Sequence, residues 1–95
     1  MPRLIITQPA LEDLIRLRAF IAEKSPQAGD RAKQKILQDL RGLTLFPEAH
    51  RPVHDMPHHR ELVIKFGASV YVARYRYRQG ETVVILRIRH QKEDL

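Results

Sequence analysis

Five arginines in the last third of the chain, Arg74, Arg76, Arg78, Arg87 and Arg89, have the type and spacing to grip an anion. They lie in apolar runs of strand character, Ser69 to Arg78 and Thr82 to His90. Residues two apart share a face of a strand. Arg74, Arg76 and Arg78 therefore point one way, and Tyr71, Ala73, Tyr75 and Tyr77 the other. Arg87 and Arg89 repeat the pattern in the last strand. Between Arg60 and Lys92, eight Lys/Arg stand against two acids, Glu61 and Glu81. A structural sheet fills exposed positions with uncharged residues or charges of both signs. A face of arginine instead points to phosphate or to an acidic protein surface. The plainer expectation is ion pairing, with Arg76 and Arg87 meeting Glu61 or Asp39. Glu61, a carboxylate amid basic residues, is expected to pair with Arg, and its sharper alternative is a general base. The tyrosines lie opposite the arginines, as core residues with a hydroxyl reaching a partner. Stacking on bases is their alternative role.

His50, His54, His58 and His59 invite a metal reading. They fall in a Pro-rich stretch rather than at i,i+4 on a helix, and only Asp55 offers a nearby carboxylate. A polar surface loop bordering the basic face is the better account. No metal and no cofactor is expected. The chain has no cysteine, which excludes disulfides, a thiol nucleophile and Cys-ligated zinc.

The elements that must position these groups follow from periodicity. Arg3 to Thr7 reads as a short strand. Pro9 suits a first helical turn, and Leu11, Leu14, Ile15, Leu17, Ile21 and Ala22 give a helix over 10–24. Glu12 and Asp13 are expected near the positive end of its dipole, and Phe20 falls off its apolar stripe, where an interaction surface is expected. Ser25-Pro26 breaks the chain, with Ser25 as N-cap. A second helix runs from about Pro26 to Leu43 on Ala32, Ile36, Leu40 and Leu43, with Leu37 at the edge. Two helices on a short link predict an αα-hairpin. Residues 47 to 60 read as a loop by composition. Three strands follow, with turns at Gly67-Ala68 and at Gln79-Gly80-Glu81. Glu93, Asp94 and Leu95 are expected to form a loose tail. The order is β-α-α-β-β-β, an α+β fold with the helices packed on an antiparallel sheet, in one domain over residues 1–95.

A net charge of +6 and a pI near 10.2 favour acidic partners or nucleic acid. No apolar run approaches a membrane span, and the first residues are too short and polar for a signal peptide. The chain reads as a soluble, cytoplasmic protein without membrane association.

Several strings in this order resemble the ParE/RelE superfamily of bacterial type II toxin–antitoxin toxins. They are the opening strand leading into Ala10-Leu11-Glu12-Asp13-Leu14, the Ser25-Pro26 break, and Leu45-Phe46-Pro47 after the second helix. Arg60-Glu61-Leu62-Val63, Tyr75-Arg76-Tyr77 and Ile85-Leu86-Arg87-Ile88-Arg89-His90 follow. The resemblance covers nearly the whole chain and implies a toxin that arrests growth or stabilises a plasmid. Its partner would be a cognate antitoxin whose acidic segment folds on binding.

The branch of the superfamily decides the target, and with it whether the chain is an enzyme. RelE-like members cleave mRNA in the ribosomal A site, whereas ParE-like members poison DNA gyrase. A nuclease needs a general base, cationic groups for the developing phosphate charge, and a general acid. His90, Arg76, Arg87, Arg89 and Glu61 would supply them. Yet Val72 stands where some nuclease relatives carry a catalytic Arg, and their paired lysines are missing before this strand. These departures favour the gyrase inhibitor, with no catalytic residues of its own. Arg74, Arg76, Arg78, Arg87, Arg89, His90 and Lys92 would then bind target and antitoxin. A small basic nucleic-acid-binding protein is the reading that drops the resemblance.

Overall fold

The computed structural model describes residues 2–93. Its elements are β1 (Leu4–Ile6), α1 (Gln8–Ala22), α2 (Pro26–Gly42), β2 (Arg51–Pro52), β3 (His59–Phe66), β4 (Ser69–Arg76) and β5 (Val83–His90). Five strands form one sheet in the order β1-β5-β4-β3-β2. The long strands β3, β4 and β5 pair antiparallel, and β2 pairs antiparallel with β3. The expected antiparallel sheet needs one amendment, because β1 joins β5 in parallel. A further correction concerns residues 47–60, expected to be all loop. Arg51 and Pro52 form the edge strand β2, and His59 and Arg60 already belong to β3.

α1 starts at Gln8, earlier than its apolar stripe suggests, because Thr7 caps it. The Thr7 hydroxyl oxygen accepts from the Ala10 amide at 3.4 Å and donates to the Ile85 carbonyl at 2.7 Å. One residue thus fixes the helix start and its place on β5. The early start moves Glu12 and Asp13 out of the first turn, so their expected role at the helix dipole is not the one they play. The buried face of α1 also differs from the expected stripe. Ala10, Asp13, Leu14 and Leu17 are buried, whereas Leu11 and Ile15, expected inside, are 40% and 59% exposed. Ser25 caps α2 as the Ser-Pro break implies, accepting from the Ala28 amide at 3.2 Å. Ala32, Ile36, Leu40 and Leu43 are its buried stripe, and Leu37 lies at the edge.

The two helices cover one face of the sheet. Ala10, Leu14 and Leu17 of α1 and Ile36 and Leu40 of α2 meet Leu62, Ile64, Tyr71, Ala73, Tyr75, Val83, Ile85 and Ile88 of the strands. Burial of this apolar set supplies most of the driving force. Tyr71 and Tyr75 are core residues as the alternation requires, and Tyr77 is half-buried. The Tyr75 hydroxyl donates to the Pro47 carbonyl at 2.7 Å and ties the 47–58 segment to the sheet. The hairpin turns use Gly67 at φ 58° and Gly80 at φ 82°, a region that residues with a side chain seldom adopt.

Candidate functional site

The other sheet face carries the arginines, and one irregularity puts Arg87 and Arg89 there. Val83 and Ile85 of β5 point inward, so strict alternation would send Arg87 and Arg89 into the core with them. The register instead shifts: Tyr75 is opposite Ile85, while Arg74 is opposite Arg87. Leu86 is the extra residue of a β-bulge, which re-aims the strand beyond it. Ile88 returns to the core, and Arg87 and Arg89 face outward.

The bulge is held from α1. Asp13, 4% exposed, accepts from the Ile88 amide at 2.9 Å and from Arg87 Nε and Nη2 at 2.8 and 3.0 Å. Arg16 adds a longer contact at 3.4 Å. Burial on its own would raise the Asp13 carboxyl, but the hydrogen bonds from Arg87 and the Ile88 amide, with the Arg87 charge, hold it below its ordinary value. The same bonds raise Arg87. Arg87 thus pairs with Asp13, not with Glu61 or Asp39 as expected, and Asp39 bonds Lys35 within α2 at 3.1 Å. Sequence reasoning missed Asp13. The signal was its place on the buried stripe with Ala10, Leu14 and Leu17, where an acid requires a partner.

Glu61 organises the adjoining charges. Arg51, Glu61, Arg74 and Arg87 stand directly opposite one another across β2, β3, β4 and β5. Glu61 binds Arg51 at 3.1 Å and Arg74 at 3.0 Å, and Arg89 approaches at 4.0 Å. Burial would raise its carboxyl, but the Arg74 hydrogen bond and the charges of Arg74, Arg51 and Arg89 bring it below its usual value. A carboxylate so committed is a poor general base. Glu61, Val72, Arg74, Arg87 and Arg89 line one small hollow of about 90 Å³. Four guanidinium groups and two carboxylates leave this patch at about +2.

The remaining expected site residues lie elsewhere. Arg76 is exposed at the end of β4, and among the described residues it forms no ion pair. Arg78 lies beyond the strand that was expected to hold it, exposed, with Glu81 at 4.0 Å. Together they flank a shallow hollow with Thr82 and Val84. His90 is opposite Tyr71 in the register, and the rings meet edge to face at 5.3 Å. It therefore lies on the helix side, beside Leu17 and Phe20. The expected grouping of His90 with the arginines is corrected by the alternation itself: Arg89 and His90 are neighbours in β5 and point to opposite faces. Lys92 follows in the turn after β5, its amide donating to His90 Nδ1 at 3.1 Å. Glu93, expected in a loose tail, is anchored there instead, while Asp94 and Leu95 lie outside the described residues.

The histidines of the 47–60 segment are dispersed. His50 lies edge-on to Tyr75, His54 pairs with Asp55 at the surface, and His59 Nδ1 sits 2.8 Å from the Pro57 carbonyl. Among the described residues no three His, Asp or Glu side chains are grouped as a metal would require. No helix among them is long and apolar enough to cross a membrane.

A two-layer α+β fold with both helices on one face of the sheet is the fold that the resemblance implied. Comparison with known proteins agrees. Residues 4–95 match the family model described as the ParE toxin of the type II toxin–antitoxin system parDE. Toxin RelE3 of Caulobacter vibrioides is 38% identical over 84 residues, covering 88% of this chain and 88% of that protein. Toxin RelE1 of the same organism is 36% identical over 89 residues, covering 94% and 92%. A chain of the chromosomal ParDE system from P. aeruginosa shares the fold, with a TM-score of 0.76 at 23% identity over 95% of this chain and 96% of that one. The chain belongs to the ParE/RelE superfamily of type II toxin–antitoxin toxins.

Proposed function

We propose that residues 1–95 act as one toxin domain that inhibits DNA gyrase by protein–protein contact in the cytoplasm and is neutralised by a cognate antitoxin. The observation that carries this reading is the dispersal of the groups a nuclease would need together. Arg87 and Arg89 lie on the open face, His90 lies on the helix face, and Glu61 is neutralised by its arginines. A binding toxin needs no such convergence, only a surface of complementary charge. Among the arginines of the set Arg74, Arg76, Arg78, Arg87, Arg89, His90 and Lys92, Arg76 has no ion pair among the described residues, and Arg78 has one exposed approach to Glu81 at 4.0 Å. These two are the leading target contacts.

The second reading is a ribosome-dependent mRNA endonuclease, favoured by the RelE names of the two relatives. The deciding experiment is a supercoiling assay with purified gyrase, using the wild type and an Arg76→Ala/Arg78→Ala variant. Both residues are exposed, so the variant folds. Loss of supercoiling, relieved in a graded way by the variant, is the expected result. Normal supercoiling at micromolar wild-type protein would refute it, and the assay would then move to mRNA ends in a translating extract.

A further inference from the structure

The end of the sheet where β3 begins and β4 ends carries a second feature. Residues of the 48–60 segment, with Tyr77 and Gln79, line an open hollow of about 640 Å³. Arg60 stands in its wall, half-buried. One arm of its guanidinium donates to the His50 carbonyl at 2.7 Å, and among the described residues it forms no ion pair. A cation held by a carbonyl, without a counter-charge, keeps its other donors for an anion. Tyr75 is opposite Arg60 in the register, and Tyr77, two residues on, shares that face. Such diagonal neighbours lie roughly 7–8 Å apart. The Tyr77 ring is half-buried, and its hydroxyl accepts from the Gly80 amide at 3.2 Å.

The wall of the hollow is built in advance. The Met56 amide donates to the Val53 carbonyl and the His59 amide to the Met56 carbonyl, each at 3.2 Å. The Val53 amide closes the loop on the His59 carbonyl at 2.9 Å, and the Tyr77 amide joins it to β4 through the His58 carbonyl at 2.9 Å. Within this short loop Asp55 has φ 58° and His58 has φ 65°. Left-handed backbone is uncommon in residues with a side chain, and it clusters at ligand sites.

The geometry points to a binding site for a nucleoside monophosphate, free or at the 5′ end of a strand, with its phosphate on Arg60 and its base against Tyr77. A guanidinium fork matches a phosphate, and an aromatic ring offers a stacking face to any base. The hollow has the volume of a small-molecule site. Glu48 and Asp55, exposed at its edge, would repel the extra charge of a triphosphate. The arginine face takes no part, so the inference is independent of the toxin's target.

The test titrates the full isotope-labelled chain with adenosine 5′-monophosphate. Adenosine, ribose 5-phosphate and inorganic phosphate are the controls. The monophosphate should shift the amide resonances of Met56, His58, Arg60 and Tyr77. Each control lacks the phosphate or the base and should bind roughly tenfold more weakly or worse. Arg60→Gln should bind the monophosphate no better than adenosine, and the spectrum of the free variant reports its fold. A 5′-phosphorylated tetranucleotide separates the two sources. Binding tighter than the monophosphate at the same amides assigns the site to a strand end, and weaker binding assigns it to a free nucleotide. The inference is overturned by equal binding of any control, by shifts confined to Arg76 and Arg78, or by no shift at millimolar ligand. A folded Arg60→Gln that still prefers the monophosphate would also overturn it. If that variant does not fold, the comparison of ligands on the wild type decides. The readout is binding, so a null supercoiling assay does not touch it.

Discussion

Replacing Asp13 should cost more stability than any surface charge change in this protein. Its carboxylate is 4% exposed and accepts three hydrogen bonds shorter than 3.1 Å, two from Arg87 and one from the Ile88 amide. Breaking a buried charge pair by removing one partner costs ~3–5 kcal/mol. Arg87 keeps half its side chain in water and regains hydration there, which lowers the cost. The Ile88 amide, in a buried residue, does not, and an unsatisfied buried donor costs ~1–3 kcal/mol. Asp13→Ala should therefore destabilise by about 2–3 kcal/mol, which lowers Tm by roughly 10–20 °C in a domain of this size. Asp13→Asn keeps an acceptor oxygen for one donor and should lose about half as much. Guanidinium denaturation at pH 7 reads both values. Asp13 is held below its ordinary carboxyl value when folded, so the unfolded chain binds more protons in the acid range. Its contribution is complete above the ordinary carboxylate range and is lost as pH falls through the folded value. The gap between wild type and Asp13→Asn should begin to narrow below about pH 4 and close only below the folded value. A loss within ~0.5 kcal/mol for Asp13→Ala, the usual range for surface changes, or a gap that widens in acid would refute the reasoning.

Glu61→Gln should leave Arg51, Arg74 and Arg89 facing one another without a counter-charge, and the resulting drop in Tm should shrink on adding salt; a salt-independent drop would point to lost packing instead. Tyr75→Phe removes the bond to the Pro47 carbonyl at a fully buried ring, which should cost ~1 kcal/mol and speed hydrogen exchange at the Val53 amide. Burial pushes the Tyr75 hydroxyl up to about 12, so an ultraviolet pH titration should show its phenolate only there or on unfolding. In Gly29→Ala the new Cβ would stand 2.9 Å from Ala22 Cβ and 3.0 Å from the Arg18 carbonyl oxygen. That overpacking, ~1–3 kcal/mol, should outweigh the ~1 kcal/mol helix-propensity gain, and a more stable variant in thermal melts would contradict the close approach of α1 and α2.

Local signals were enough for much of the fold. Ser25-Pro26 marked a helix break because a cap and a fixed φ act within a few residues, and Gly67 and Gly80 marked turns because their backbone is one that side chains resist. The stripe of Ala32, Ile36 and Leu40 and the inward tyrosines followed from the periods of helix and strand. Those same periods put the arginines of β4 on a common face, and the ordered strings carried the superfamily. Tertiary structure decided the rest. Whether Arg87 and Arg89 join that face depends on one extra residue at Leu86, which no alternation rule contains, and on Asp13 arriving from a helix far away in sequence. Leu11 and Ile15 lie outside because α1 buries Ala10, Asp13, Leu14 and Leu17 against the sheet, a choice of face that the apolar residues of the helix alone do not make. His90 parts from Arg89 because adjacent strand residues face opposite sides, and its neighbours there come from α1. Sequence fixes which charges a chain carries; only packing decides which of them find each other and which stay free to meet a partner.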